Sequence, residues 1–231
     1  MLLNNTLSKK SLLVAFAFMI ASSVGALKAQ DLRFGIYASP VISWFSTDIS
    51  EVRNEGARAG LNVSATAEKY FGFNFALTGG ISIINSSGRT VSENTTLFKF
   101  TNYTSVVAPE NAIVYRIQYL SLPVGIKIKT NEIGFLSYFA ETGFDPKLVI
   151  RGKADIPSLN IKGEKAMTEI KLFNLGYHLN GGIDYSLDGT TSLILGLGFE
   201  SNFFDITKDT GTQPVDRTSH KLIKFIFGIN F

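Results

Sequence analysis

The chain has 231 residues, 45% of them hydrophobic and 21 of them glycine, with no cysteine and a formal charge of +3. This composition excludes a disulfide framework and a thiolate metal site, and it is too apolar for a disordered or linker-rich protein. Lys9, Lys10 and Lys28 lie in a leading stretch without acids, so the remainder is charge-balanced and the high isoelectric point is no argument for a nucleic-acid partner.

Lys9 and Lys10 precede an apolar run from Leu12 to Ala21, followed by Val24-Gly25-Ala26-Leu27-Lys28-Ala29-Gln30. A basic start, a short apolar run and small residues before a cut describe a secretory signal peptide. Cleavage is expected after Ala29, with Ala26 the alternative, which makes residues 1–29 the signal and 30–231 the folded domain. The apolar run is too short for a membrane-spanning helix, which needs roughly 20 residues.

Alternation then dominates the chain. Leu32, Phe34, Ile36, Ala38, Ile42 and Trp44 share one face of a first strand, and Thr47 to Gly56 is a polar loop. Ala59, Leu61, Val63, Ala65 and Ala67 mark a second strand, with a turn expected near Glu68 to Tyr70. Phe71, Phe73, Phe75, Leu77, Ile81 and Ile83 mark a third. Asn85 to Asn111 reads as a long polar loop with a minor alternating piece at Leu97 to Tyr103. In the fourth strand, Ile113 to Lys129, the apolar residues change parity, from Ile113, Tyr115, Ile117 and Tyr119 to Leu120, Leu122, Val124, Ile126 and Ile128. The expectation is a β-bulge between Tyr119 and Pro123, since proline cannot donate to a ladder.

After a turn at Thr130-Asn131-Glu132, a fifth strand from Gly134 to Ile150 sets Leu136, Tyr138, Ala140, Phe144, Leu148 and Ile150 against Ser137, Glu141, Gly143, Asp145 and Lys147. Arg151 to Thr168 reads as another long loop. The sixth strand opposes Phe173, Leu175, Tyr177, Leu179, Ile183 and Tyr185 to Asn174, His178, Asn180 and Asp184, and Asp188-Gly189 turns it into the seventh, with Leu193, Leu195, Leu197, Phe199 and Phe203 on one face. Beyond the loop Asp205 to Ser219, the last strand places Lys221, Ile223, Phe225, Phe227, Ile229 and the terminal Phe231 together.

Eight strands joined by alternating long and short connections make an all-β, eight-stranded, antiparallel up-and-down transmembrane β-barrel, with the short turns on one side and the long loops on the other. A soluble ligand-binding barrel also alternates, but it turns its bulky apolar face inward and a Lys/Glu-rich face to water. Here the polar face is chiefly Gly, Asn, Ser and Thr, which suits a crowded interior, and the apolar face carries Phe, Tyr, Leu and Ile, which suits lipid.

Tyr119-Leu120-Ser121-Leu122-Pro123, Lys127-Ile128-Lys129-Thr130 and Tyr138-Phe139-Ala140-Glu141-Thr142-Gly143 resemble the PorT-like outer-membrane β-barrels of the Bacteroidetes. The likeness runs through the strand pattern of the whole mature chain. It implies the fold and the outer membrane; the short turns are expected in the periplasm and the long loops outside, as in transmembrane barrels generally. It further implies an accessory role in type IX secretion or gliding, and it assigns a role to no residue.

Chemistry is expected to be absent: no catalytic, cofactor-binding or metal residue is assigned. His178, placed in the lumen among Asn174, Asn180 and Asp184, reads as a histidine bonded to a neighbouring amide or carboxylate, and His220 sits at the loop end of the last strand. Asp205, Asp209 and Gly211 lack the acid spacing and closing glutamate of a calcium loop. Arg116, Lys127, Lys129, Glu141, Asp145, Asp184 and Glu200 are expected to point inward and to pair, since an unpaired ion in a poorly solvated lumen is costly. The expected partners are outer-membrane lipid and lipopolysaccharide, the barrel assembly machinery, and secretion-complex or other envelope proteins. A surface adhesin, a lipopolysaccharide-stabilising barrel, a narrow solute channel and a lipid-modifying enzyme are the alternative roles.

Overall fold

Alternating apolar and small polar residues leave each strand with one face for lipid and one for an interior, and a closed ring leaves no backbone edge unpaired in hydrocarbon. The computed structural model describes residues 32–208 and 216–231, in which Arg33–Phe231 form one unit. The expected signal peptide, with Asp209 and Gly211, lies outside the described residues. The strands are β1 Leu32–Ser46, β2 Val52–Asn54, β3 Arg58–Phe71, β4 Phe75–Ser92, β5 Thr96–Lys99, β6 Thr104–Val107, β7 Ala112–Ser121, β8 Val124–Lys129, β9 Leu136–Ile156, β10 Ile161–Lys165, β11 Phe173–Ser186, β12 Ser192–Asn202 and β13 Ser219–Asn230.

Eight staves close the ring in sequence order. β1 pairs with β3, β3 with β4, β4 with β7 and β8, these with β9, and then β11, β12 and β13 return to β1. β7 and β8 are one stave interrupted at Leu122-Pro123. The closure is antiparallel, running from Gly35 opposite Asn230 to Ser46 opposite Ser219. Reciprocal backbone bonds between Phe34 and Phe231, at 2.9 and 2.8 Å, extend it to the terminal residue.

The short-turn end is tight. Residues 72–74 join β3 to β4, so the expected turn at Glu68 to Tyr70 is displaced, and both of those residues belong to β3. In the turn between β11 and β12, Asp188 Oδ1 accepts the Thr190 and Thr191 amides at 2.9 and 2.6 Å, which holds its carboxyl below the usual carboxylate range.

The long-loop end is not the set of polar loops that the sequence suggests. β4 and β9, at 18 and 21 residues, far exceed the roughly 10 that cross a bilayer, so they project beyond the lipid band. β5 and β6 form a separate hairpin within Asn85 to Asn111, β2 pairs with the end of β4, and β10 folds back on β9 within Arg151 to Thr168.

The parity change also has a different origin. Along β7 and β8 the inward residues are odd-numbered throughout: Ile113, Tyr115, Ile117, Tyr119 and Ser121, then Gly125 and Lys127. Ser82 pairs with Ser121 and Gly79 with Val124, so no residue is gained across Pro123. The register shift lies in β9 instead, where Gln118 faces Arg151 and Tyr119 faces Val149. The extra residue, Ile150, switches β9 from odd inward positions to Gly152, Ala154 and Ile156. The apolar residues Ile113 to Tyr119 line the interior, and Arg116 faces outward, contrary to the expectation for it.

Candidate functional site

The interior is built in two layers. Nearer the short turns the inward positions are polar and ionised, as expected from Lys127, Lys129, Glu141, Asp145, Asp184 and Glu200. Lys129 Nζ reaches Asp184 at 2.8 Å, and Lys127 Nζ reaches Glu68 at 2.6 Å while lying 4.6 Å over the Phe139 ring. Glu200 receives both Lys147 and, at 3.1 Å, Lys224, and Lys147 also donates to Asn202 at 2.9 Å. These groups are buried, so each carboxylate and ammonium depends on its partner for the solvation that it left behind.

Sequence reasoning put Glu68 at the end of the second strand's polar face, against a supposed turn, and so left it out of the inward ionic set. Its oxygens also meet Tyr70 Oη at 2.9 Å and Tyr37 Oη at 3.3 Å, and Tyr37 bonds Asn230 at 2.5 Å. Glycine makes room for the ring of Tyr37: a Cβ on Gly228 would stand 2.2 Å from Tyr37 Cδ1.

His178 lies where the sequence put it, in the lumen, with Nδ1 2.9 Å from Asp145 and Nε2 3.7 Å from Glu141. Its expected neighbours differ, because Asn174 bonds the Phe204 carbonyl and Asp184 pairs with Lys129. Glu141 also accepts from Thr78 at 2.8 Å. Around these groups lies a cavity of about 70 Å³ lined by both polar and apolar side chains, room for a few waters.

Tyr119 and His220 mark the boundary of the second layer. Their rings stack at 5.8 Å, and Lys147 Nζ lies 5.7 Å from the Tyr119 ring on the ionic side. Both His220 nitrogens are buried without a hydrogen-bond partner, so the ring serves here as a flat aromatic, edge-on to Phe45 at 5.6 Å. Above it the inward residues are apolar. Phe45, Ile113, Tyr115, Ala154 and Ile156 pack with Phe98, Phe100 and Val107 from β5, β6 and their connection, and with Ala166, Ile170 and Ile206 from the other loops.

The long connections are stitched together over this cluster. Lys99 N donates to Glu169 at 2.8 Å, Thr101 N to Lys165 O at 2.9 Å and Lys208 N to Glu169 O at 2.8 Å. Arg217 N reaches Asp48 at 2.7 Å, Glu93 N reaches Glu51 O at 2.9 Å, and Arg53 pairs with Glu110. Asp205, discounted as a calcium ligand, accepts the Thr207 and Thr218 amides at 3.1 and 3.0 Å. The loops therefore form a cap with its own apolar core, inserted into the barrel mouth. Individually these residues look like ordinary loop composition, and the burial of Phe98, Phe100 and Ile170 is visible only once the projecting staves bring them together.

Outside, Phe75, Leu77, Ile81, Ile83, Val124, Ile126, Ile128, Leu195, Leu197, Phe225 and Phe227 are exposed as a continuous apolar belt. A belt of this extent is incompatible with water and suits lipid.

Among solved structures, the chain is similar to Neisserial surface protein A at 10% identity, covering 87% of this chain and 96% of that one with a TM-score of 0.48. It is also similar to Ail, the attachment invasion locus protein of Yersinia pestis, at 12% identity over 87% and 99% of the two chains, TM-score 0.40. OprG of Pseudomonas aeruginosa matches at 12% identity over 86% and 95%, TM-score 0.42. No curated protein matches the sequence. Residues 28–208 match the family described as the outer membrane protein beta-barrel domain. With that match over most of the chain, a closed ring of eight staves and an apolar belt around it, the protein belongs to the outer membrane protein β-barrel domain family.

Proposed function

We propose that the protein is a non-catalytic, non-conducting outer-membrane barrel that works by presenting its capped end outside the cell, with the short turns in the periplasm. The observation that carries this reading is the double filling of the lumen. A pore needs a continuous wet path, whereas here paired ions occupy one half and an apolar cluster the other. Eight staves enclose a space that side chains fill. In planar bilayers the refolded protein is expected to give no conductance steps, and reproducible single-channel steps would overturn the reading in favour of a narrow channel.

The specific role suggested by the PorT-like sequence steps is an accessory of type IX secretion or gliding, with the cap or the belt as the docking surface. Detergent extraction with the secretion-ring subunits supports that role, and extraction free of them favours the adhesin or lipopolysaccharide-stabilising readings. Assembly is expected to pass through the barrel assembly machinery, which would capture β13 and Phe231 by strand pairing.

A further inference from the structure

On the outer face of β4, β7 and β9, side chains change in rows toward the cap. Ile83, Leu120 and Leu148 form an apolar row, followed by Asn85, Gln118 and Arg151, in which Gln118 Nε2 donates to Asn85 at 2.8 Å. The next row is Ser87, Arg116, Lys153 and Lys165, each directly opposite the next across four strands. Four residues of β7 separate Leu120 from Arg116, about 14 Å along the strand and about 10 Å in height at a tilt near 45°.

Three cations placed directly opposite one another repel, and a sheet normally avoids the arrangement. Asp155 pairs with Arg116 and offsets one charge. Among the described residues, Arg151, Lys153 and Lys165 make no ion pair. Glu164 follows the opposite alternation from Lys165 and so leaves the ladder face. Beyond Asp155, which serves Arg116, no ion pair among the described residues supplies the ladder's lysines or Arg151 with counter-charge, at the depth where a lipid leaflet places its headgroups. Further from the cap, Val124 and Ile126 of β8, Phe144 of β9 and Tyr177 of β11 frame an open apolar furrow with Gly125 and Gly143.

We propose that this wall binds a phosphorylated glycolipid of the surrounding leaflet, with Arg151, Lys153 and Lys165 on the phosphates and an acyl chain running down β9 to the furrow. The proposal rests on the reading that the capped end faces the outer leaflet. A lipid is the occupant because the cations sit directly above the apolar belt and are continuous with it.

The test uses the full chain refolded in nonionic detergent, titrated with diphosphoryl and with dephosphorylated lipid A and followed by native mass spectrometry. The diphosphoryl form is expected to bind more tightly by about tenfold or more, a screened fraction of what three interfacial cations supply. The triple variant Arg151→Gln, Lys153→Gln, Lys165→Gln should lose that preference while keeping the gel shift on boiling that marks a folded barrel. The matched variant Arg58→Gln, Lys99→Gln, Lys208→Gln should keep it. Equal binding of the two lipid A forms, equal loss in the matched variant, or a preference for dextran sulfate in competition would each overturn the proposal. Binding in detergent does not depend on orientation, so protease access to residues 157–168 in intact cells tests that reading separately.

Discussion

Glu200 neutralises two buried ammonium groups, and its loss is the sharpest single-residue test of the lumen. Glu200→Gln leaves Lys147 and Lys224 without their carboxylate, a change expected to cost about 3–5 kcal/mol because the charges cannot reach bulk water. The pair Lys171–Asp205, whose lysine is half-exposed and whose carboxylate keeps the Thr207 and Thr218 amides, provides the comparison, since Lys171→Gln should cost under about 1 kcal/mol. Urea midpoints of the two variants refolded in lipid vesicles measure the difference, and equal midpoints would mean that the lumen is wet enough to solvate the lysines. Most of this network was legible at the level of single residues, because ionic residues on the small-residue face of a narrow barrel have little choice but to pair. Arg116 was misread because the apolar residues flanking it were taken as lipid-facing, and Glu68 was left out because a turn was placed against it.

At the scale of the strand, alternation reveals that two faces differ but not what covers each. Ile113, Tyr115, Ile117 and Tyr119 alternate as cleanly as lipid-facing residues do, yet they face an apolar interior. The true register shift hid in Leu148-Val149-Ile150, where three apolar residues in succession satisfy either parity. β12 is free of this ambiguity, as Leu193, Leu195 and Leu197 are exposed while Ile194 is buried against Tyr37, Phe139 and Ile226. Leu195→Arg is therefore expected to destabilise the protein in bilayers by about 2–4 kcal/mol if Leu195 lies near the midplane. In nonionic micelles, where the side chain reaches water more readily, the cost should shrink. Vesicle and micelle unfolding midpoints provide the check, and a variant as stable as the parent in both would place Leu195 outside the lipid belt.

At the scale of the whole molecule, the alternation of long and short connections predicted the ring and its two unlike ends, because antiparallel neighbours in a closed ring leave no other order. The cap was not legible, since its core joins residues as distant in sequence as Phe45, Phe98, Ile170 and Ile206. The staves close through their own ladders beneath it, so the cap is expected to open before the barrel does. Phe98 is fully buried and packs edge-on to Phe100 at 4.7 Å and against Tyr115 at 5.8 Å. Phe98→Ala removes a ring from that core, a loss of about 3–5 kcal/mol, which raises the open fraction of the cap by about two orders of magnitude or more. Limited proteolysis should then cleave within residues 93–111 and 157–168 correspondingly faster, while the barrel keeps its boiling-dependent shift on gels and its urea midpoint. If the variant loses that shift as well, cap and barrel unfold as one cooperative unit, and the cap is part of what holds the staves closed rather than a surface resting on them.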